Sequence, residues 1–392
     1  MKAAIYDPYL DTLGGGERYA MTVAEYFAGR GWVTDIFWKG TPAIKEVLSG
    51  RLGLNLERVN FLPDIFTNYP RVINLLNKLL TTREYDLFFY ISDGSIPLLF
   101  SKKAILHFQV PFKFNGRTIF NEIKLQRFNH IVCNSCFTKR FIDKTFGIDT
   151  KVLYPPIDID LFKPSLKENI ILSVGRFGGP LHPKKQEILI EAFKNMVRTL
   201  RAESPELLCQ RSETPALPAG RPYPSRLGGT DTGVKAGCVG WKLVLAGGAD
   251  ETDAKKLASL RKKSAGFPIE IIPNISFERL RDLYGAAKIY WHATGFKEDE
   301  EIFPEKTEHF GITTVEAMAA GCVPVVIKRG GQPEIIEHEE NGFLWETVEE
   351  LQRYTTKLME NESFREKMAE KGMIRAKDFS KKKFCEELEK LL

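Results

Sequence analysis

The sequence predicts an α/β protein built of two doubly wound halves, and three observations carry that prediction. Short apolar runs alternate with helical patterns along most of the chain, as parallel strands covered by helices on both faces do. The alternation restarts after "YPPIDIDLFKPS", where Pro155, Pro156 and Pro164 suit a stiff connector. A length of 392 residues is also more than one core usually organises.

Taken in order, the candidate strands of the first half are Ala3–Asp7, Val33–Trp38, Asp86–Ser92, Ala104–Phe108, His130–Asn134 and Lys151–Tyr154. Those of the second half are Ile170–Gly175, Lys242–Ala246, Ile269–Ile272, Ile289–Ala293 and Val323–Ile327. Residues 1–160 then make an N-terminal domain and 161–375 a C-terminal one. A helix is predicted over Pro183–Leu200, and the next strand begins only at "WKLVLAGG". The intervening 201–240 is rich in Pro, Gly, Ser and Thr without periodicity, so a flexible insertion is expected. The last residues, 376–392, read as a helix capped by Ser380, whose Phe384, Leu388 and Leu391 need a surface to cover. The N-terminal domain is the surface expected to receive them.

Composition narrows the class. Hydrophobic content of 43% and charged content of 27% are those of a soluble globular protein. The start "MKAAIYDPYL" lacks the apolar core of a signal peptide, and no run of apolar residues is long enough to span a bilayer. A cytoplasmic protein is expected. Of the six cysteines only Cys133 and Cys136 have metal-like spacing, with no second pair to complete a zinc site, so no metal is expected. Cys133 falls in a predicted buried strand. The net charge of +5 is uneven: residues 102–151 hold ten Lys and Arg against three acids, interleaved with eight phenylalanines. Such a stretch suits phosphates, anionic lipid or nucleic acid, or else a solvated helix whose phenylalanines lie in the core.

Several strand ends carry groups fit for an anionic ligand. "YDPYLDTLGGGERYAMTVAEYF" runs strand, glycine loop, helix, so Gly15 and Gly16 let an anion approach a helix start. Tyr19 occupies the third glycine place of a dinucleotide fingerprint, which therefore fails. "SVGRFGGPLHPKKQEILIEAF" ends a strand with Arg176 and is expected to open a helix with Lys184, Lys185 and Gln186. An arginine fork and a lysine point charge there could clamp a diphosphate, or could be plain surface cations. "KRGGQPEIIEHEENGFLW" gives a second paired-glycine turn at Gly330-Gly331, and His107 ends a strand in "ILHFQVPF". Ligands of open α/β sheets bind at such carboxyl ends.

The stretch "EKTEHFGITTVEAMAAGCVPVV" sets Glu308 and Glu316 eight positions apart. On one continuous helix they would lie about 80° apart and roughly 12 Å along the axis, too far to share a ligand. If the helix begins near Thr313 and His309-Phe310-Gly311 is a turn, Glu308 folds back and both carboxylates face one site. Thr313-x-x-Glu316 also fits a capping box, which would leave Glu316 a cap and Glu308 a loop charge.

Together "GGGER", "HFQVPF", "NSCFTKR", "VLYPPIDIDLF", "VGRF…HPKKQ", "EHFGITTVEAMAAGCVPVV" and "GGQPEII…NGFLW" resemble a retaining glycosyltransferase of family 4. That resemblance implies the GT-B architecture, two facing Rossmann-like domains with a cleft between them, and covers nearly the whole chain outside 201–240. It implies that Glu316 binds the ribose of a nucleotide sugar. Glu308, with the backbone of Phe310, Gly311 and Ile312, would hold the donor sugar and phosphates. Arg176 and Lys184 would stabilise the departing diphosphate, with Lys185 the second choice of lysine. Gly15 and Gly16 would let the N-terminal domain close, and His107 would approach the reacting carbon.

The donor implied by the resemblance is GDP-mannose, with no metal or other cofactor. The implied acceptor is a lipid-linked glycan or polysaccharide of the cell envelope, met by a peripheral enzyme on the inner face of the membrane, without nucleic acid. A UDP-sugar transferase, a nucleotide-sugar epimerase and a non-catalytic nucleotide-sugar binder are the alternatives.

Overall fold

The computed structural model describes residues 1–10, 15–66, 71–113, 116–178, 183–203 and 240–392. Thirteen strands are named among them. In the first half these are β1 (Lys2–Tyr6), β2 (Val33–Trp38), β3 (Val59–Pro63), β4 (Leu87–Ser92), β5 (Lys103–Phe108), β6 (His130–Cys133) and β7 (Lys151–Val152). They form one sheet in the order β3-β2-β1-β4-β5-β6-β7. In the second half β8 (Glu168–Val174), β9 (Lys242–Gly247), β10 (Ile269–Pro273), β11 (Ala287–His292), β12 (Val323–Ile327) and β13 (Phe343–Trp345) form another, ordered β10-β9-β8-β11-β12-β13. Every pairing is parallel. All carboxyl ends of a sheet therefore share one edge, and each sheet's order reverses around its first strand.

Parallel sheets need cover on both faces, and four apolar clusters supply it. One face of the first sheet buries Ile5, Tyr19, Phe27 and Phe89, and the other buries Phe37, Phe88, Tyr90 and Phe108. The second sheet has Phe193, Trp291 and Trp345 on one side and Tyr284, Tyr290 and Met318 on the other.

Eleven of the strands lie where the apolar runs placed them. The two others, β3 and β13, are edge strands that periodicity does not mark. β3 exposes Asn60 and ends on Pro63, a residue an edge tolerates because no neighbour needs its N–H. β13 is only three residues long. The helix expected over Pro183–Leu200 runs instead from Gln186 to Glu203. Lys184 and Lys185 thus precede it, and Lys185 adopts a left-handed φ of +52° that a helix start excludes. The insertion expected at 201–240 lies outside the described residues at 204–239.

The C-terminal helix Lys381–Glu389 starts at Ser380, whose hydroxyl accepts from the Lys383 N–H. Its Phe384, Leu388 and Leu391 join the cluster of Ile5, Tyr19 and Phe27 in the first half, with Phe384 edge-on to Tyr19. At its first residue the Lys381 N–H donates to the Ile157 carbonyl at 2.8 Å, and the Lys381 side chain pairs with Glu25 at 2.5 Å.

The two halves also touch directly. The Glu334 carboxylate accepts from the backbone N–H groups of Cys136 and Phe137 at 2.7 Å each, at the start of helix Cys136–Phe146. Arg140 on that helix pairs with Glu300 at 3.2 Å and Glu301 at 3.1 Å. His309 donates from Nδ1 to the Gln109 carbonyl at 3.1 Å, which fixes its tautomer.

Phe384→Ala removes the largest apolar group by which the last helix holds the first half. We expect it to cost about 3–5 kcal/mol, read as an earlier urea transition of the N-terminal half. An unchanged midpoint would mean that this helix contributes nothing to that core.

Candidate functional site

At the carboxyl edge of the second sheet the chain packs backbone against backbone. β8 leaves the sheet through Gly175 into Arg176, and a Cβ on Gly247, the last residue of β9, would overlap the Gly175 carbonyl oxygen. A Cβ on Gly175 would in turn lie 2.8 Å from Lys184 Cγ, so the Lys184 side chain crosses the glycine step. Its ammonium reaches Glu308 Oε2 at 2.5 Å. Lys185 pairs with Glu298 at 2.6 Å instead. Arg176 is exposed at the same edge, and among the described residues its guanidinium makes no ion pair.

Glu308 reaches this place because the chain turns sharply after it. Gly311 has φ +119°, which a side chain disfavours, and a Cβ there would sit 2.6 Å from Gln332 Nε2. The Gly330-Gly331 turn closes on the same loop. A Cβ on Gly331 would fall 2.6 Å from Phe310 Cα, and the Gly331 N–H donates to the Glu308 carbonyl at 2.8 Å. Fully buried Gln332 accepts from Thr314 Oγ1 at 3.0 Å, tying the two loops together.

The helix after this turn, Ile312–Ala319, takes Gly311 as its N-cap and has no side-chain cap. The capping-box reading therefore fails. Thr313 Oγ1 accepts from the Tyr290 hydroxyl at 2.7 Å, and Glu316 Oε2 accepts from the Tyr284 hydroxyl at 3.0 Å. Glu316 is 8% exposed, and burial raises its pKa while Arg18, from the first half, and Tyr284 oppose the rise. Tyr290 stands close enough to both carboxylates that, after burial, Glu308 and Glu316 each raise its pKa. One tyrosine thus feels both ends of the eight-residue frame.

His292, the last residue of β11, donates from Nε2 to Glu308 Oε2 at 2.9 Å and is 3% exposed. Periodicity did not single it out. The strand-end position that drew attention to His107 applies equally to the "IYWH" run, and that was the available signal.

The first half contributes Gly15 and Gly16 opposite this edge. A Cβ on Gly15 would lie 2.5 Å from Ile312 Cδ1, and one on Gly16 would overlap Gln109 Oε1, so a side chain at either place would displace the tip of its neighbour. His107 does not line the cleft. It is wholly buried, stacked on Tyr19 with ring centroids 4.1 Å apart, and neither ring nitrogen has a hydrogen-bond partner among the described residues. The reason is strand alternation: His107 shares the face of Ile105, under helix Gly15–Gly29. Burial drives its pKa down to about 3. Phe310 is likewise a core residue, packed on Tyr154 and Phe379, so only its backbone is available to the site.

Cys133 is buried in β6 with its sulfur 3.3 Å from Thr150 Oγ1, and Cys136 lies 3.5 Å from the Tyr154 hydroxyl. Of the phenylalanines described in the basic stretch, Phe108, Phe112, Phe128, Phe137, Phe141 and Phe146 are buried, whereas Phe120 is 78% exposed.

Comparison with known proteins assigns both halves. A model of "Glycosyltransferase Family 4" matches residues 13–161, and one of "Glycosyl transferases group 1" matches 238–375. The GDP-Man:Man(3)GlcNAc(2)-PP-Dol alpha-1,2-mannosyltransferase of Dictyostelium discoideum is 30% identical over 240 residues, 58% of this chain and 38% of that protein. The chain thus spans little more than a third of the length of the curated relative it matches there. An uncharacterized glycosyltransferase of Haemophilus influenzae is 22% identical over 98% of this chain and 97% of its own. Among solved structures, a glycosyltransferase from Rickettsia africae superposes with a TM-score of 0.69 at 18% identity, covering 100% of this chain and 97% of that one. Anabaena Alr3699/HepE in complex with UDP gives 0.68 at 17% identity, covering 100% and 99%. At such identities the structural likeness establishes the fold, which is GT-B.

Because the Glu316 pKa is raised, its carboxylate lowers stability, and the sign of the pH dependence follows. The cost is absent below the unfolded-state pKa and develops as pH rises through the folded one. Glu316→Gln should therefore melt higher than the parent at pH 7, with the gap closing on acidification to about pH 4. A gap that is constant across this range, or reversed, would show that burial does not strain this carboxylate.

Proposed function

Since this chain belongs with the GT-B glycosyltransferases that join a Family 4 half to a group 1 half, we propose that it is a retaining hexosyltransferase. It moves mannose from GDP-mannose to a lipid-linked or polysaccharide acceptor. The observation that carries this reading is the convergence at one sheet edge of Arg176, Lys184, Glu308, the uncapped start of helix Ile312–Ala319 and Glu316. In the proposed complex Glu316 holds the ribose hydroxyls and Glu308 the sugar. The diphosphate lies on the N–H groups of the helix start, where the dipole favours negative charge.

Breaking the sugar–phosphate bond builds charge on the departing diphosphate. Preplaced cations and N–H donors stabilise that charge more in the transition state than in the ground state. Arg176 and Lys184 take this role. Lys185, engaged by Glu298, is the weaker candidate. His107, buried under Tyr19, has no part in this scheme. Glu308 is engaged by a lysine and a histidine through one oxygen, which suits a binding group better than an attacking nucleophile. In the proposed reaction the acceptor attacks on the leaving-group face, with retention, as the likeness to family 4 implies.

The choice of GDP-mannose leans on the mannosyltransferase relatives, whose names carry GDP-Man and a PP-Dol acceptor. HepE, solved with UDP, makes a UDP-sugar the competing donor. Titrating the purified protein calorimetrically with GDP, UDP and ADP should give a preference for GDP that is lost in Glu316→Ala. Arg176→Ala should keep most of that affinity but lose about 10²–10³ in turnover. Preference for UDP would overturn the sugar while leaving the mechanism, and absence of binding to all three would indicate a non-catalytic relative.

A lipid-linked acceptor calls for contact with a membrane, and the first half offers a surface for it. Helix Ile119–Leu125 exposes Ile119, Phe120 and Ile123, and helix Arg71–Thr82 exposes Leu76 and Leu80. Burial lowers the Lys78 pKa, Asp64 opposes and Lys124 assists, so the lysines of the two helices lie within electrostatic reach of each other. No helix among the described residues is long and apolar enough to cross a membrane. The enzyme would lie on the surface, with the phenylalanine among the acyl chains and the lysines at the headgroups. Phe120→Ser with Ile123→Ser should weaken binding to phosphatidylserine-containing vesicles by about tenfold or more, and added salt should weaken the parent's binding steeply. Binding that ignores both changes would exclude this surface.

A further inference from the structure

We infer that His292 is a positioning residue that keeps the Glu308 carboxylate aimed at the donor sugar while Lys184 turns to the diphosphate. The inference rests on the donor-binding reading above and assigns a residue that reading leaves without a task.

Two donors meet on one oxygen, Glu308 Oε2: Lys184 Nζ at 2.5 Å and His292 Nε2 at 2.9 Å. Their tethers differ. Lys184 extends a four-carbon arm from the irregular segment before helix Gln186–Glu203, and its side chain is one-fifth exposed. His292 closes β11 in register with Val326 of β12. Its neighbours are pinned on either face, Trp291 by Thr355 at 2.9 Å and Tyr290 by Thr313 at 2.7 Å. A flexible donor and a fixed one therefore share the same acceptor.

The flexible donor has a second demand on it. A diphosphate beside Lys184 carries more negative charge than one carboxylate and draws the ammonium from Glu308. At that moment Glu308 keeps only His292 of this pair. Loss of the imidazole would remove from the occupied site the donor to Glu308 whose place the sheet fixes. Opposite an anionic oxygen the imidazole carries its proton on Nε2, and Nδ1 has no hydrogen-bond partner among the described residues. Burial lowers the ring's pKa, with Glu308 opposing and Lys184 assisting, which in the empty site favours a neutral N–H donor.

The test compares His292→Phe, which keeps a ring but no donor, with His292→Gln, whose amide N–H reaches the place of Nε2. Glu308→Gln serves as the control, and each protein is titrated with GDP and with GDP-mannose. We expect His292→Phe to bind GDP within about twofold of the parent yet lose about tenfold or more for GDP-mannose. His292→Gln should restore most of that loss. Should His292→Phe lack a native melting transition, His292→Leu takes its place. If Glu308→Gln weakens GDP-mannose binding and His292→Phe does not, or if Gln fails as badly as Phe, the positioning role is overturned. If Glu308→Gln itself leaves GDP-mannose affinity unchanged, the donor-binding reading falls and the inference with it.

Discussion

At the carboxyl edge of the second sheet, loops cross with their backbones in contact, and everything in the candidate site depends on there being no side chain between them. Gly247 meets the Gly175 carbonyl, and Gly330 meets the carbonyl of Glu308. Gly331 lies against Phe310 in the same way. A methyl group at any of these points would push a loop outward, and the displaced loops are those that carry Arg176, Lys184 and Glu308. The glycines act through this close approach, and at Gly311 and Gly330 also through positive φ. Parallel topology explains why the crossings gather in one place, since every strand of the sheet releases its chain at the same edge.

Three carboxylates near this edge are held in three different ways, and the differences separate their uses. Glu334 spans the two halves and satisfies two backbone N–H groups at the start of helix Cys136–Phe146, where the helix dipole favours a negative charge. Burial raises its pKa while those N–H bonds oppose the rise. Glu308 meets a lysine and a histidine on a single oxygen. Glu316 is nearly buried and has the Tyr284 hydroxyl as donor, with Arg18 of the opposite half as the charge that lowers its pKa. The first is structural by its contacts. The other two stand where the sheet edge opens.

The contacts between halves also gather at this edge. Arg140 reaches two glutamates of the loop that precedes Glu308, and His309, the next residue, donates to Gln109. Glu300, one of those glutamates, accepts from the Gly330 N–H as well. The loop that carries Glu308 is thus fastened to the opposite half as well as to its own sheet. The C-terminal helix adds an apolar anchor far along the chain, with Phe384 and Leu388 in the first half's core.

The sequence by itself determined the two parallel sheets, because apolar runs buried on both faces leave an unbroken signature. It placed Arg176 at a strand end, Lys184 at an expected helix start and Glu308 ahead of a Phe-Gly turn, and it carries the glycine turns that bring them together. Edge strands β3 and β13 escaped it, β3 because half-covered residues carry little apolar pattern and β13 because three residues are too few to show one. Only the tertiary structure decided which strand-end histidine meets Glu308. His107 and His292 read alike in the chain, yet the alternation of β5 turns the first under Tyr19 while β11 presents the second to the carboxylate. Likewise, whether Glu316 caps its own helix or accepts from Tyr284 depended on where the helix began. Gly311 set that point, one residue ahead of Thr313, through a φ that the loops packed around it impose.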